Sequence, residues 1–406
     1  IMLERKPRVA IVVSHPIQHF VFLYRELARQ NKINLRVLFC SKIGLTPYFD
    51  DDMQQEIQWD GDLLKGYDSI FLDEAERISK TGFRSVNNPS VAKHLNQYHP
   101  DVVISYGYAQ LTQLRTLLWS IRTSTPRLMI SDTNNVTHRH YMKKVLRNFF
   151  LRKLFKRFNG FLTPGDQNEE ALMRLGVSEE KLFRSPFPID ENTYLQVRSK
   201  KKDISENLRK TLGIPTNAFV CIMVGKLIDR KNPFDAVNAI EKASETSPNL
   251  HLLVCGKGPL EEKLKALVNK KRLPVTFAGF VNTAELPYYY AASDALLHLA
   301  SRDPHPLVCS ESISLGLPLI LSSSTGTIGE TDVARQNINT IVVPTGDHNL
   351  AASAIAELAE SPNRYREMSD ASLTIFSETN MEQSIKGIHN AIQITLDSFK
   401  QGTRIS

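Results

Sequence analysis

The sequence predicts an α/β protein of two doubly wound domains, and three observations carry that expectation. Short apolar runs bounded by turn residues alternate with amphipathic helical stretches. That order gives a parallel sheet covered by helices on both faces. The alternation occurs twice, in two similar halves separated by a polar stretch at 191–214 that reads as linker plus a short helix. The chain has 406 residues, enough for two to three domains that each bury a core. We expect a first domain over 1–195 and a second over 210–380.

Composition narrows the class. Apolar residues make up 42% and charged residues 23%, ordinary for a globular protein. No uncharged apolar run reaches 18 residues, so no transmembrane helix is expected. The chain enters a strand by Arg8, so no signal peptide is expected either. Cys40, Cys221, Cys255 and Cys309 lie within or beside apolar runs without paired spacing. They read as reduced, buried thiols of a cytoplasmic protein, not a disulfide frame or metal site. A net charge of +7 favours anionic partners. With no nucleic-acid-binding motif, those are phosphates or a lipid surface, and nucleic acid is not expected.

In the N-terminal half, Val9–Val13 is the first strand, and Ser14-His15-Pro16-Ile17-Gln18-His19 the loop after it. Phe20–Gln30 is a helix with Phe20, Leu23, Tyr24 and Leu27 on one face, and Leu35–Cys40 is the second strand. Loops at the carboxyl ends of such strands meet ligands. His15 and His19 can hydrogen-bond a hydroxyl or donate a proton there, or simply satisfy the loop. Residues 41–90 are rich in turn residues and charge. Asp50-Asp51-Asp52 fits an Asp-x-Asp metal pattern but sits in a polar loop, so no metal is expected. Trp59-Asp60 and Gly66-Tyr67 lie in a loop that either contacts a substrate or is solvated. Asp101–Tyr108 is a strand ending in a glycine turn, which places Tyr106 at a strand end. Leu111–Ile121 is a helix, and Arg127–Ile130 a strand running into Asp132; His138 and His140 follow. Residues 143–157 carry seven Lys and Arg among Val145, Leu146, Phe149, Phe150 and Leu154. This basic amphipathic helix either lies on an anionic membrane or faces the core with its charges solvated.

In the C-terminal half, Val220–Lys226 opens a second sheet, and Lys226 and Lys231 flank the turn that follows. Two cations at one strand end suit a diphosphate. Leu250–Cys255 and Val275–Gly279 are strands. Gly256-Lys257-Gly258-Pro259 lacks the spacing and hydroxyl of a Walker loop. After the buried run Ala291–Leu299 comes Ser301-Arg302-Asp303-Pro304-His305-Pro306, then a short helix carrying Leu307, Val308 and Glu311. A helix start offers unpaired N–H groups and a positive dipole end, which can hold a diphosphate. Glu311 can accept from a ribose diol and Asp303 from sugar hydroxyls. The same spacing also fits a loop whose Asp caps a helix and whose Glu is solvated.

The segment 301–318 resembles the Glu-x7-Glu motif of family 4 glycosyltransferases, retaining enzymes of the GT-B fold. Asp303 matches the first acid, Glu311 the second, and Gly316-Leu317-Pro318 the following Gly-x-Pro turn. The Ser-His-Pro-Ile-Gln opening is similar to that of a subset of the family. The resemblance implies two Rossmann-like domains facing a central cleft, with the terminal helix 381–399 crossing back onto the first. It implies donor binding by Gly225, Lys226, Lys231, Val281, Leu307, Val308 and Glu311. Asp303, His15 and Lys231 then take catalytic roles, and His19, Asp132 and Tyr106 line the acceptor side. The implied reaction moves a sugar from a nucleotide-sugar, UDP-sugar favoured, to a glycan or lipid-linked saccharide in cell-surface or exopolysaccharide synthesis. No cofactor or essential metal is implied, and the enzyme would work in the cytoplasm, peripheral to the inner membrane face. Three departures stand out. Asp303 is one methylene shorter than Glu, His305-Pro306 replace an aromatic and a glycine, and Asp132 stands where many members have His. They keep open a non-catalytic nucleotide-sugar-binding module, or a GT-B epimerase or phosphorylase-type enzyme.

Overall fold

The computed structural model describes residues 5–50, 52–53, 55–57, 61–132 and 141–403. Asp51, Trp59, Asp60, His138 and His140 lie outside them. The strands are β1 (Arg8–Val13), β2 (Asn34–Phe39), β3 (Tyr48–Asp50), β4 (Gln55–Ile57), β5 (Ser69–Phe71), β6 (Val102–Tyr106), β7 (Arg127–Ile130), β8 (Gly160–Thr163) and β9 (Leu182–Arg184). The second half adds β10 (Phe219–Val224), β11 (Leu250–Cys255), β12 (Val275–Gly279), β13 (Ala295–His298), β14 (Leu319–Ser322) and β15 (Thr340–Val343).

Two parallel sheets result. The first runs β5-β2-β1-β6-β7-β8-β9 and the second β12-β11-β10-β13-β14-β15, with β3-β4 a separate antiparallel hairpin. Both reverse direction beside their first strand, at β1/β6 and at β10/β13, and such switch points open a crevice at the carboxyl ends of the strands. The α/β class is as the alternation predicted. Strand side chains alternate between two buried faces, which explains the near-continuous apolar runs. Cys221 and Met223 join one core layer of the second domain, and Val220 and Ile222 the other. All four cysteines are free thiols in the interior.

The polar stretch after residue 190 differs from its reading as linker plus a short helix. It forms two helices, Glu191–Ser199 and Lys201–Leu212. Its few apolar residues fall at helical spacing within a Lys-rich run, so one face buries while the charges stay in water. Ile189, Tyr194 and Val197 are buried with Tyr290 and Leu296 of the second domain. The chain has therefore crossed over near residue 189, short of the boundary drawn at 195. Helix Met381–Thr403 crosses back, burying Ile385, Ile388, Ala391 and Ile392 against Val9, Ile11 and Leu128 of the first sheet.

Helix Tyr141–Phe155 divides its apolar residues between two sides. Leu151, Leu154 and Phe155 are buried with Phe158 and Phe161. Val145, Leu146, Phe149 and Phe150 face solvent, Leu146 at 71% exposure and both phenylalanines at 57%. Lys153 lies over the Phe149 ring at 4.5 Å. Among the described residues no helix is long and apolar enough to cross a membrane.

Candidate functional site

The site lies where the two switch points face each other. From the second domain, β10 ends at Gly225, whose φ of +143° only glycine adopts easily. Its N–H bonds the Cys255 carbonyl at 3.0 Å. A Cβ on Gly256 would stand 1.8 Å from the Gly225 oxygen, so the two strand-end turns are pressed backbone to backbone. This contact fixes where Lys226 and Lys231 begin.

Asp303 follows β13 in a loop pinned from below. The Gly326 N–H bonds the Asp303 carbonyl at 2.8 Å, and a Cβ on Gly326 would meet the Pro304 oxygen at 1.7 Å. The Asp303 carboxylate is buried at 7% exposure. Its Oδ2 accepts from Lys231 Nζ and pairs with His298 Nε2 at 3.0 Å. Burial opposes its ionisation, but the His298 hydrogen bond and the Lys231 charge prevail and hold it at about 2. Asp303 is thus an anion with a matched cation beside it, not the helix cap of the alternative reading.

Helix Leu307–Ser314 starts at Pro306 in extended geometry. The proline ring lies ahead of the first turn, so the N–H it lacks is not one of the helix's own. The Leu307 and Val308 amides occupy the first turn, where no earlier carbonyl accepts them. One turn on, Glu311 faces the cleft. Tyr290 donates to its Oε2 at 2.7 Å. Burial raises this carboxyl to about 7, against the opposing hydrogen bonds of Tyr290 and Tyr194. The two acids of one motif are therefore set apart by their surroundings: Asp303 has a cation beside it, whereas Glu311 is buried with only phenols to bond it.

The first domain supplies the opposite wall. His15 Nδ1 pairs with Ser14 Oγ at 2.8 Å, and burial lowers the His15 pKa, so the ring is neutral at neutral pH. His19 is packed against Phe20 and Phe187 with centroids at 4.7 and 6.2 Å, and burial brings its pKa to about 3. Its Nε2 is buried without a protein partner. A pocket of about 310 Å³ joins the walls, lined by His15, His19, Tyr194, Thr283, Leu307 and Glu311 among others. Gln18 Nε2 reaches Thr283 Oγ1 across the cleft at 2.6 Å. Val281 packs beside the core layer that holds Tyr290, two residues before Thr283. His305 stacks edge-on against Phe187 at 5.0 Å, so it serves as a ring in the interface.

Tyr106 ends β6, and Asp132 follows the neighbouring strand β7 by two residues, exposed at the surface. Tyr106 packs edge-on against Phe20 at 5.3 Å. Partial desolvation raises the Asp132 carboxyl, and desolvation together with the nearby Asp132 charge raises the Tyr106 phenol. Neither lines the pocket that holds Glu311, so the structure gathers His15 and His19 with Leu307 and Glu311 and leaves this pair to one side.

Asp50 and Asp52 meet a lysine. Lys226 Nζ donates to Asp50 at 3.0 and 3.1 Å and to Asp52 Oδ2 at 2.9 Å, across the cleft from the β3-β4 hairpin. Among the described residues no group of three or more His, Cys, Asp and Glu side chains is arranged to hold a metal ion. Sequence reasoning did not find His298, Tyr194 or Tyr290. His298 reads only as part of a buried strand, and the two tyrosines carry no signal in the sequence.

Residues 204–373, the bulk of the second domain, match the family "Glycosyl transferases group 1". This domain is thus similar to the group 1 glycosyltransferases, consistent with the family 4 type. The alpha-monoglucosyldiacylglycerol synthase of Acholeplasma laidlawii is 25% identical over 215 residues, 48% of this chain and 52% of that one. The UDP-Gal:alpha-D-GlcNAc-diphosphoundecaprenol alpha-1,3-galactosyltransferase of Escherichia coli is 30% identical over 168 residues, 40% and 41% of the two chains. The matched stretch thus spans about half the length of these curated relatives or less. Likeness in fold extends further. The crystal structure of Anabaena HepE (Alr3699) with UDP-glucose superposes with a TM-score of 0.69 at 17% identity, covering 97% of this chain and all of that one. The lipopolysaccharide glycosyltransferase WaaG superposes at 0.60 and 16% identity, over 95% and 99% of the chains. The fold of this chain is GT-B, and its two facing sheets are the two GT-B domains.

Proposed function

We propose that this protein is a retaining glycosyltransferase that takes a UDP-sugar in the second domain and a glycan or lipid-linked saccharide in the first. The observation that carries this is the buried Asp303–Lys231 pair beside the helix start at Leu307, one turn from Glu311 and opposite His15. Lys226 and Lys231 bracket the donor diphosphate, and the Leu307 and Val308 amides face it. As the glycosidic bond breaks, negative charge grows on the leaving diphosphate. Fixed cations and dipoles stabilise that charge in a site shielded from water. Glu311 accepts from the ribose diol, and Asp303 accepts from hydroxyls of the transferred sugar. Neutral His15, held by Ser14 at Nδ1, presents its other nitrogen to a sugar or acceptor hydroxyl. Val281 holds the base through its backbone.

The named relatives support this choice of substrates. One is a synthase of a glucosylated diacylglycerol, another transfers from UDP-Gal to a diphosphoundecaprenol-linked sugar, and HepE holds UDP-glucose. A lipid-linked acceptor suits the exposed Leu146, Phe149 and Phe150 beside basic residues, which give the first domain a surface for anionic lipid.

The test is transfer from radiolabelled UDP-glucose and UDP-galactose into a membrane-lipid extract, with and without EDTA. Transfer should survive chelation, because lysines supply the positive charge. Loss with EDTA and return with Mn²⁺ would transfer that role to a metal. Tight UDP binding without hydrolysis or transfer from any UDP-, GDP- or ADP-sugar would favour a non-catalytic binding module.

A further inference from the structure

Two tyrosine hydroxyls in the second domain meet at Glu311, and nothing in packing alone accounts for them. Tyr290, on helix Leu286–Ala291, is fully buried and donates to Glu311 Oε2 at 2.7 Å. Tyr194, on helix Glu191–Ser199, is 3% exposed and turns its hydroxyl to the same carboxylate. The rings lie 6.1 Å apart within the apolar layer that also holds Ile189, Cys255 and Leu286. Phenylalanine would fill that layer equally well. A buried hydroxyl costs free energy unless it is bonded, so two of them aimed at one group call for a reason on the polar side. A carboxylate offers about four acceptor positions. The phenols take positions on the core side and leave those on the pocket side for a ligand.

We propose that Tyr194 and Tyr290 are positioning residues for the donor, favouring the carboxylate form of Glu311 and aiming its free oxygen lone pairs at the ribose diol. This rests on the reading of Glu311 as the ribose-binding acid.

The surroundings make the phenols necessary. His15 and His19 face the pocket from the first domain, and burial keeps both neutral at neutral pH. Asp190 faces it from the start of helix Glu191–Ser199 and is acidic itself. Cys255, behind Tyr290, is held as a thiol by burial. None of these gives Glu311 a positive neighbour, whereas Asp303 has Lys231. Burial raises both phenols well above their ordinary range, so they remain donors at any working pH. A hydrogen bond to the ionised form favours that form, and here two such bonds oppose the burial that brings Glu311 to about 7. The arrangement also joins three separate segments at one atom group. The helix after the domain crossing, the helix that follows the Val281–Thr283 turn, and the Glu311 helix all meet there. Donor recognition is thereby tied to how the chain crosses between domains.

UDP binding measured by calorimetry from pH 5.5 to 9 separates this from mere packing. Wild type should bind more tightly as Glu311 ionises through neutral pH. In Tyr290→Phe, and more so with Tyr194→Phe added, the midpoint should move up by about one pH unit. That leaves binding about fivefold weaker at pH 7 and nearly restored at pH 9, since one pKa unit is a tenfold change in the protonation equilibrium. The diphosphate's own titration is common to all variants and cancels. Glu311→Gln should bind weakly without that pH step. A midpoint unchanged in both single variants, whether affinity is intact or uniformly reduced, would overturn the proposal. If Glu311→Gln binds UDP as wild type does, the ribose reading falls first and the tyrosines' role with it. Should the double variant fail to fold, the two single variants decide.

Discussion

At the scale of residues, the site separates two acids that look equivalent in sequence. Asp303 has Lys231 and His298 as partners and stays ionised far below neutral pH. Glu311 has Tyr290 and Tyr194 and is poised near neutrality. Their roles should separate by substitution. A hydrogen bond to a charged group contributes about 1.5–3 kcal/mol, or about 10- to 150-fold in affinity. Glu311→Ala should weaken free UDP and the UDP-sugar alike by about that factor. Asp303→Ala should leave UDP nearly unaffected and lower turnover or change the sugar accepted, because its partner exists only in the whole donor. Calorimetry with UDP and with the UDP-sugar checks both. Equal loss of free UDP in the two variants would mean the roles are misassigned. The family resemblance, not spacing alone, singled out both acids, both lysines and His15, and the structure brings them to the cleft. Their partners were not legible in the sequence. His298 is five residues from Asp303, but Tyr194 and Lys226's partner Asp50 reach the site only through tertiary folding.

At the scale of elements, the β3-β4 hairpin gives the Asp-x-Asp pattern a physical meaning. It carries Asp50 and Asp52 across the cleft to Lys226, the lysine proposed to meet the donor diphosphate. Desolvation works against the charge on Lys226, but Asp52 and Asp50 raise its pKa; desolvation likewise opposes ionisation of Asp50, and the Met53 amide and Lys226 outweigh it and lower its pKa. A donor diphosphate must displace these carboxylates to use the same cation. Replacing both, Asp50→Asn with Asp52→Asn, should therefore tighten UDP binding. Exposed ion pairs contribute up to about 1 kcal/mol, so the gain should be about fivefold. It should also make wild type and variant converge at high salt, where the competing pair is screened. Unchanged UDP affinity at low salt would show that Lys226 does not meet the diphosphate. The loop beneath Asp303 supports a second test. Gly326→Ala places a Cβ against the Pro304 carbonyl, and overpacking of this kind costs about 1–3 kcal/mol. Denaturant unfolding should register that loss, and turnover should fall with it as Asp303 is displaced. The hairpin escaped sequence reading because three-residue strands in a polar run carry little periodicity, and the stretch after Glu191 reads in sequence as one short helix instead of two because its few apolar residues are scattered through a Lys-rich run.

At the scale of the whole molecule, the repeated α/β alternation was enough to specify two doubly wound sheets, because parallel strands buried on both faces leave long apolar runs. It could not specify how the helix Tyr141–Phe155 presents itself, since a basic amphipathic pattern serves a core or a membrane equally. The structure divides the pattern. Leu151, Leu154 and Phe155 supply the core contact, so Val145, Leu146, Phe149 and Phe150 are surplus to it and face water. Large exposed apolar residues grouped on one helix mark a contact surface, and the neighbouring Arg147, Arg152 and Lys153 set the sign of its partner. Two contributions then act together: apolar side chains entering the headgroup boundary, and about 1 kcal/mol for each basic residue near an anionic surface. The protein should sediment with vesicles containing phosphatidylglycerol and far less with phosphatidylcholine alone, and rising salt should release it. Phe149→Ser with Phe150→Ser should reduce binding at every salt concentration, because it removes the uncharged contribution. Lys153→Gln with Arg152→Gln should instead flatten the salt dependence. Equal binding to both vesicle types, unchanged by either pair of substitutions, would leave the first domain to a water-soluble acceptor.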